Sequence, residues 1–485
     1  MSVRRAPIRC LAALALSLLA AACAVNPATG DRQFTGLVPV SQDAAIGRQE
    51  HPKVLAEFGG AYDNPRVRAF VDRLGRTLAA QTGRADVDWT FTVLDTDVVN
   101  AFALPGGYVY ITRGLLALAG DEAEVAGVLA HEIGHVVARH TAERISRSTV
   151  AGVLAAGVGA VLGSPELARA VSLGSELVLA GYSREQELEA DRLGVAYLAA
   201  TGYDPFAMAT FLETMGRKAQ YDALVRGGAT DRHDFLSTHP RTEERVERAA
   251  ALARTYPPAD RRRGDGDYLQ AVAGMVYGDS PENGFVRGTV FAHPQLGFRF
   301  EVPQGYTLLN GAQQVVARGP GGSLIVFDGG TARGGSDMVA YIARDWAAGA
   351  RFAAIEPLEI NGLPAATGVT QGRIRGAMVD LRLVAIRMGP RIYRFTMVSP
   401  SGGLTGHDAA FRRTAASFRT LGRGEAAALQ PHRLRTVTVR PGDTAESLAA
   451  GMADQPRAVD LFRILNNLPP GTPLTPGRTV KVVAG

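Results

Sequence analysis

Hydrophobic positions recur along the first half of this chain mostly at the spacing of helix faces. Ser41 to Ala56 and Asn64 to Gln81 read as helices, and in the second Val67, Phe70, Val71, Leu74 and Leu78 fall three or four apart. Asp88 to Leu94 alternates as a strand. Asn100 to Gly107 reads as a turn leading into a second strand, Tyr108 to Thr112. That strand is expected either as a sheet edge to which an extended peptide adds, or as an ordinary core strand. Gly127 to His135 lies in an apolar, Ala-rich run that predicts a helix, with Asp121 suited to its cap and Glu122 and Glu124 to its first turn. Val150 to Gly163 consists mainly of Ala, Gly, Val and Leu and is shorter than the roughly 20 residues a spanning helix needs, so it reads as a buried or lid helix. Glu185 to Ala199 is the next helix. Tyr256 to Gly266 is a charged loop, and Tyr268 to Tyr277 a short closing helix.

The period then changes. Phe298 to Val302, Gln314 to Ala317, Ser323 to Phe327, Val379 to Met388 and Arg391 to Val398 alternate or run β-branched, with amphipathic helices at Met338 to Ala348 and Asp408 to Ser417. An antiparallel sheet flanked by helices is the expected packing. Gly422 to His432 is a polar, Ala-rich linker, and a β-α-α-β pattern follows it.

Composition changes this picture little. With 485 residues, 46% of them hydrophobic, the chain has room for several globular domains. The net charge of +5 is carried by arginine, lysine standing only at 53, 218 and 481. No basic tract interleaves with aromatics, so nucleic acid is not an expected partner. The amino end reads as an export signal. Arg4, Arg5 and Arg9 precede the apolar run Leu11 to Ala22, which ends Leu19-Ala20-Ala21-Ala22-Cys23. This resembles a bacterial lipobox, with the leucine one place earlier than usual. Residues 1–22 are expected to be removed and Cys23 lipidated, leaving 23–40 as a tether. The only other cysteine, Cys10, leaves with the signal, so the mature chain is expected to hold no disulfide. Ala24 beside the lipid implies the periplasmic face of a Gram-negative outer membrane.

The candidate chemistry sits in His131-Glu132-Ile133-Gly134-His135. On a helix, positions i and i+4 share a face, so both imidazoles can meet one Zn²⁺ with Glu132 beside them as general base for a water. A hydrolytic zinc takes a third protein ligand. The acidic cluster Glu185, Glu187, Glu189 and Asp191 offers it: Glu187 and Asp191 are also i and i+4, one to ligate and the other to hold an imidazole N–H, while Glu189 points away. The alternative is a solvated acidic face. His51, His140, His233, His293, His407 and His432 are isolated in sequence and read as surface or satisfied core residues.

Together with Tyr182-Ser183-Arg184-Glu185-Gln186-Glu187-Leu188-Glu189-Ala190-Asp191, the His-Glu motif resembles metallopeptidase family 48, which includes HtpX, the CAAX prenyl endopeptidases and BepA-like enzymes. Asn100-Ala101-Phe102, the Pro-Gly-Gly after it, Ser237-Thr238-His239-Pro240 and Arg245 also match. The resemblance covers about residues 24 to 280. It implies an α+β, mainly helical gluzincin (zincin) catalytic domain over 41–285, holding one Zn²⁺ per chain. His131, His135 and Glu187 are its implied metal ligands, with Glu132 as base and Asp191 behind a ligand. His239 is implied either to stabilise the oxyanion or to plug the fourth coordination position as a switch, with Arg245 in support and Asn100, Ala101 and Phe102 on the substrate side. Residues 286–421 are similar in pattern to PsbP-like α/β domains, and 434–485, after the linker 422–433, resemble a LysM module that binds peptidoglycan or serves as a structural cap. These resemblances imply a zinc endopeptidase acting on misfolded or stalled envelope polypeptides. The competing expectation is an envelope scaffold or chaperone-like lipoprotein that binds clients and peptidoglycan, with latent or no proteolysis.

Overall fold

The computed structural model describes residues 24–485 apart from 27, 36, 157–180, 227–233, 241, 258–260, 332–336, 375 and 454. The export signal, Cys23 and the end of the Val150 to Gly163 run lie outside the described residues. Helices and antiparallel strands are mixed. The chain divides into two compact units, one taking in the chain up to Ala56, Gly60–Met275 and Arg433–Ala484, the other chiefly Val276–His432.

In the first unit, α1 (Val40–Glu57) and α2 (Pro65–Ala79) precede a three-stranded sheet of β1 (Thr90–Leu94), β2 (Ala101–Leu104) and β3 (Tyr108–Thr112). Asn64 caps α2, accepting a hydrogen bond from the Val67 amide, and Pro65 opens the helix where a missing N–H costs nothing. The strand order is β1-β3-β2, with β3 parallel to β1 and antiparallel to β2. Of the two alternatives for Tyr108–Thr112, the core strand is the one found: it is the central strand of the sheet. One expectation changes. The stretch read as a turn contains β2, whose four residues are all buried and so show no alternation.

Then follow α3 (Arg113–Leu118), α4 (Glu122–Val137), α5 (His140–Ala156), α6 (Arg184–Ala200), α7 (Ala207–Arg226), the short α8 (Phe235–Thr238), α9 (Glu243–Arg254) and α10 (Asp265–Val272). The last begins and ends earlier than the pattern predicted, stopping before the left-handed Gly274 (φ 81°). Helix α4 is the centre of the unit: every residue except Val136 is buried. Its packing against α6 depends on two glycines. A Cβ at Gly194 would stand 3.2 Å from the His131 amide nitrogen, and one at Gly134 would stand 3.3 Å from the Ala190 carbonyl oxygen.

The second unit has two antiparallel sheets. One is built from β4 (Phe285–Arg287), β5 (Val290–His293), β6 (Phe298–Glu301) and the late strand Arg419–Thr420. The other has seven strands. Thr307–Asn310, Gln314–Arg318 and Leu324–Gly330 lie on one side, then Arg391–Pro400, Ala377–Met388, Leu363–Ile374 and Ile355–Ile360. Phe291, Phe298, Phe300, Phe327, Tyr393, Phe395, Phe411 and Phe418 form its main core. The predicted helix at Met338 is a single turn, Met338–Ala340, continued by a π-helical turn, Tyr341–Trp346.

Residues 433–484 belong to the first unit. Strand His432–Thr438 pairs with Thr479–Ala484, and helices Ala445–Ala450 and Ala458–Leu465 pack on this hairpin around Val439, Ala449, Phe462 and Val480. Among the described residues no helix is long and apolar enough to cross a membrane.

Candidate metal centre

The site begins with the start of α4. Asp121 accepts a hydrogen bond from the Glu124 amide, fixing where the helix begins and hence which face it turns inward. His131 and His135, one turn apart, then point the same way. Their Nε2 atoms are 3.0 Å apart. Across the glycine-lined contact, α6 starts at a capping box between Ser183 and Gln186. Its first turn brings Glu187 to 3.6 Å from His131 Nε2 and 3.5 Å from His135 Nε2. One turn later, Asp191 reaches the opposite nitrogen of His131, its Oδ1 2.9 Å from Nδ1. An N–H at Nδ1 leaves the Nε2 lone pair facing His135 and Glu187.

His239 enters from the end of α8, its amide donating to the Phe235 carbonyl at 2.7 Å and its ring stacked on that phenyl ring. Its Nδ1 lies 2.9 Å from Glu187 Oε1 and 3.3 Å from His131 Nε2. Ligand-type atoms of His131, His135, Glu187 and His239 all fall within 4.8 Å of one another. Arg245, in the first turn of α9, spans both carboxylates: Nε and Nη2 lie 2.7 and 2.8 Å from the Asp191 oxygens, and Nη1 lies 2.5 Å from Glu187 Oε2. All these side chains are buried.

Glu132 stands beside the cluster. Among the described residues neither carboxylate oxygen has a hydrogen-bond partner, although Oε1 is 3.4 Å from His239 Nε2. A buried carboxylate left in this state is costly unless something else occupies the space before it. Three imidazoles and a carboxylate converging on one point are a donor set that suits a divalent transition metal, zinc above all. Burial pushes Glu132 above the ordinary carboxylate range, against the opposing pull of His239 and His131. Burial also pushes Glu187 up, but His239 and the hydrogen bonds from His135 and His239 outweigh it and hold the group well below its ordinary value. Burial holds His135 well below the usual imidazole range, in the neutral form that a metal requires.

Sequence reasoning missed the far side of His135. Its Nδ1 lies 2.8 Å from His140 Nδ1, and His140 Nε2 lies 3.3 Å from Glu189. Asn26 donates to the same carboxylate at 2.7 Å. His140 is therefore not isolated, and Glu189, which does point away from the cluster, reaches the site through it. Tyr182 stacks on His135 with ring centroids 3.8 Å apart, and the Arg144 guanidinium covers the Tyr182 ring at 4.4 Å. Only the His-rich run from 131 to 140 signalled these contacts. Asn100, Ala101 and Phe102 lie at the start of β2, buried, and Phe102 stacks on Tyr110.

Comparison with known proteins points the same way. Residues 65–253 match the model of peptidase family M48. A putative beta-barrel assembly-enhancing protease from Vibrio cholerae is 35% identical over 229 residues, which are 45% of this chain and 46% of that protein. The mitochondrial metalloendopeptidase OMA1 of Arabidopsis thaliana is 36% identical over 167 residues, 34% of this chain and 32% of that protein. The chain thus spans less than half the length of either relative. A solution structure of cyanobacterial PsbP from Synechocystis aligns with 28% of this chain and 98% of its own, at 12% identity and a TM-score of 0.22, too low to assign a fold. His131, Glu132, His135, Glu187, Asp191, His239 and Arg245 all fall inside the matched family segment, and the chain therefore carries a peptidase family M48 domain over residues 65–253.

Proposed function

We propose that this chain is a zinc-dependent endopeptidase with a gluzincin catalytic domain. The observation that carries the reading is the convergence of His131, His135, Glu187 and His239 beside a Glu132 carboxylate that has no hydrogen-bond partner among the described residues. His131, His135 and Glu187 would hold one Zn²⁺, which would supply Lewis acidity toward the scissile carbonyl and the attacking water. Glu132 takes the proton from that water and returns it to the leaving amine. Its desolvated carboxylate is a stronger base than an exposed one, because burial disfavours its charge. Asp191 and Arg245 set the His131 tautomer and hold Glu187 in place. The position of His239 Nδ1 among the ligand atoms supports the reading in which it fills the fourth ligand position and yields it to substrate.

The substrate class in this reading is misfolded or stalled polypeptide of the bacterial envelope, and Asn100, Ala101 and Phe102 lie on the substrate side. Support comes from the similarity to the Vibrio cholerae relative, which is named a putative beta-barrel assembly-enhancing protease. Lipidation at Cys23, a place on the periplasmic face of the outer membrane and peptidoglycan contact through 434–485 complete the proposal. The PsbP-like and LysM-like patterns supply its accessory parts. A chelator tests the reading. Cleavage of casein by the purified chain should stop with 1,10-phenanthroline and return on adding zinc, and cleavage that persists in the chelator would reject it.

A further inference from the structure

The carboxy-terminal segment does more than sit beside the peptidase domain: it reaches under the amino end of the metal helix. Lys481 is fully buried, and its Nζ donates to the carbonyls of Ala117, in α3, and Ala119, just after it, and to the Tyr268 hydroxyl at 2.8 Å. Three acceptors match the three N–H bonds of its protonated form. Tyr268, itself buried, has its one O–H within reach of both the Leu116 and Ala119 carbonyls, at 2.7 and 2.6 Å. A second latch lies one turn away. Asn467 Nδ2 donates to Glu124 Oε1 at 2.6 Å, while Asn467 Oδ1 accepts from Thr214 Oγ1 at 3.1 Å and from Arg217.

Glu124 is the third residue of α4, fully buried, and its other oxygen accepts from the Gly120 amide at 2.8 Å. Asn467 adopts a left-handed backbone (φ 49°) that asparagine tolerates better than most residues, and a Cβ on Gly120 would stand 2.8 Å from Asn467 Cβ. The approach is therefore close and specific. Tyr221 adds a bond to the Pro456 carbonyl at 2.7 Å, and Leu434 exchanges backbone hydrogen bonds with Gly274 and Met275. Within the segment, Asn466 accepts from the Lys481 amide and donates to its carbonyl, locking the two latches to each other.

We propose that residues 433–484 are an intramolecular brace, in which Asn467 and Lys481 are positioning residues that fix the start of the metal helix and so the aim of His131, Glu132 and His135. The inference rests on the metallopeptidase reading for its catalytic consequence, but not for its structural one. Glu124 precedes His131 by two helical turns, roughly 10 Å at 1.5 Å per residue, and a rigid helix carries a shift at its first turn directly to the ligands. Displacements of that kind cost rate without touching the reacting atoms.

The test compares the parent chain with Asn467→Asp and with Asn467→Asp/Glu124→Gln, at about pH 8.5, above Glu124, which burial raises to about 7, and above Lys481, which burial lowers to about 7, so that Lys481 is in the same neutral form in all three proteins. Aspartate keeps the acceptor for Thr214 and Arg217 but sets two carboxylates against each other. Glutamine at 124 restores a donor facing an acceptor. The brace predicts that the single variant loses roughly ten- to hundredfold in kcat with KM little changed, and that the double variant recovers. It also predicts faster amide exchange over residues 124–131 in the single variant, with strand Ala377–Met388 unchanged as an internal control, and an altered visible spectrum of the Co²⁺-loaded protein. Unchanged exchange in a folded Asn467→Asp, or equal losses in the single and double variants, would overturn the brace. If the parent chain cleaves nothing and binds no metal, the metallopeptidase reading falls, while the exchange experiment still decides the brace.

Discussion

Asp191 stands 2.9 Å from Nδ1 of His131, on the side of the imidazole opposite the three other converging groups. The carboxylate therefore selects which nitrogen carries the proton and leaves Nε2 as the ligand atom. Replacing Asp191 with Ala is expected to lower zinc affinity roughly ten- to hundredfold, the usual cost of losing such a support. Competition against a chromogenic chelator measures it. Affinity equal to that of the parent would show that the helix alone orients His131.

Arg245 is buried between two carboxylates and held by both. Removing it leaves Asp191 and Glu187 facing each other without the guanidinium that bonds both. Arg245→Ala should lose roughly 3–5 kcal/mol of stability, the range for breaking a buried pair from one side. Lysine should recover only part of this, because it cannot bond both Asp191 oxygens and Glu187 in one plane. Denaturant midpoints for the three proteins give the comparison, and a stable alanine variant would mean that water replaces the guanidinium.

His239 brings Nδ1 to within 3.3 Å of His131 Nε2. If it fills the fourth ligand position, His239→Ala should keep one zinc and cleave short peptides faster than the parent. A variant with zinc bound and activity abolished would place His239 on the developing oxyanion instead. Unchanged activity would remove it from both roles.

In the second unit, burial pushes His293 down to about 4, while its hydrogen bond to the Glu282 backbone opposes that shift. An unfolded histidine titrates near 6.5. Between these values the unfolded chain binds the extra proton, so the contribution is complete above about pH 6.5 and is lost as pH falls to about 4. The difference amounts to on the order of 3 kcal/mol. His293→Gln, which keeps an acceptor for the Leu296 amide, should flatten this dependence. Fluorescence of Trp346 during denaturation reports on this unit, and an identical pH slope in the variant would assign the effect elsewhere.

Much of the peptidase segment was legible because its signals are local. The capped, apolar α4 announces itself through Asp121, two early glutamates and a four-residue histidine spacing, and α6 through Ser183 and its acidic first turn. What stayed hidden was set by tertiary contact. Strand Ala101–Leu104 is buried on both faces and so has no alternation to read. Ile355–Ile360 and much of Leu363–Ile374 carry Pro, Gly and exposed positions that mask their period. Helix Ala207–Arg226 has apolar residues scattered around its surface and drew no notice in the sequence. The His135–His140–Glu189 chain depends on two helices meeting, and the Asn467–Glu124 bond joins residues 343 apart. No window of sequence contains either.

The central claim is that the His131, His135 and Glu187 cluster binds catalytic zinc with Glu132 as the base. It is tested most directly by measuring zinc content and casein cleavage together, in the parent chain and in Glu132→Gln. The account predicts one zinc per chain in both proteins and cleavage by the parent alone. Zinc absent from both, or cleavage undiminished in Glu132→Gln, would contradict it.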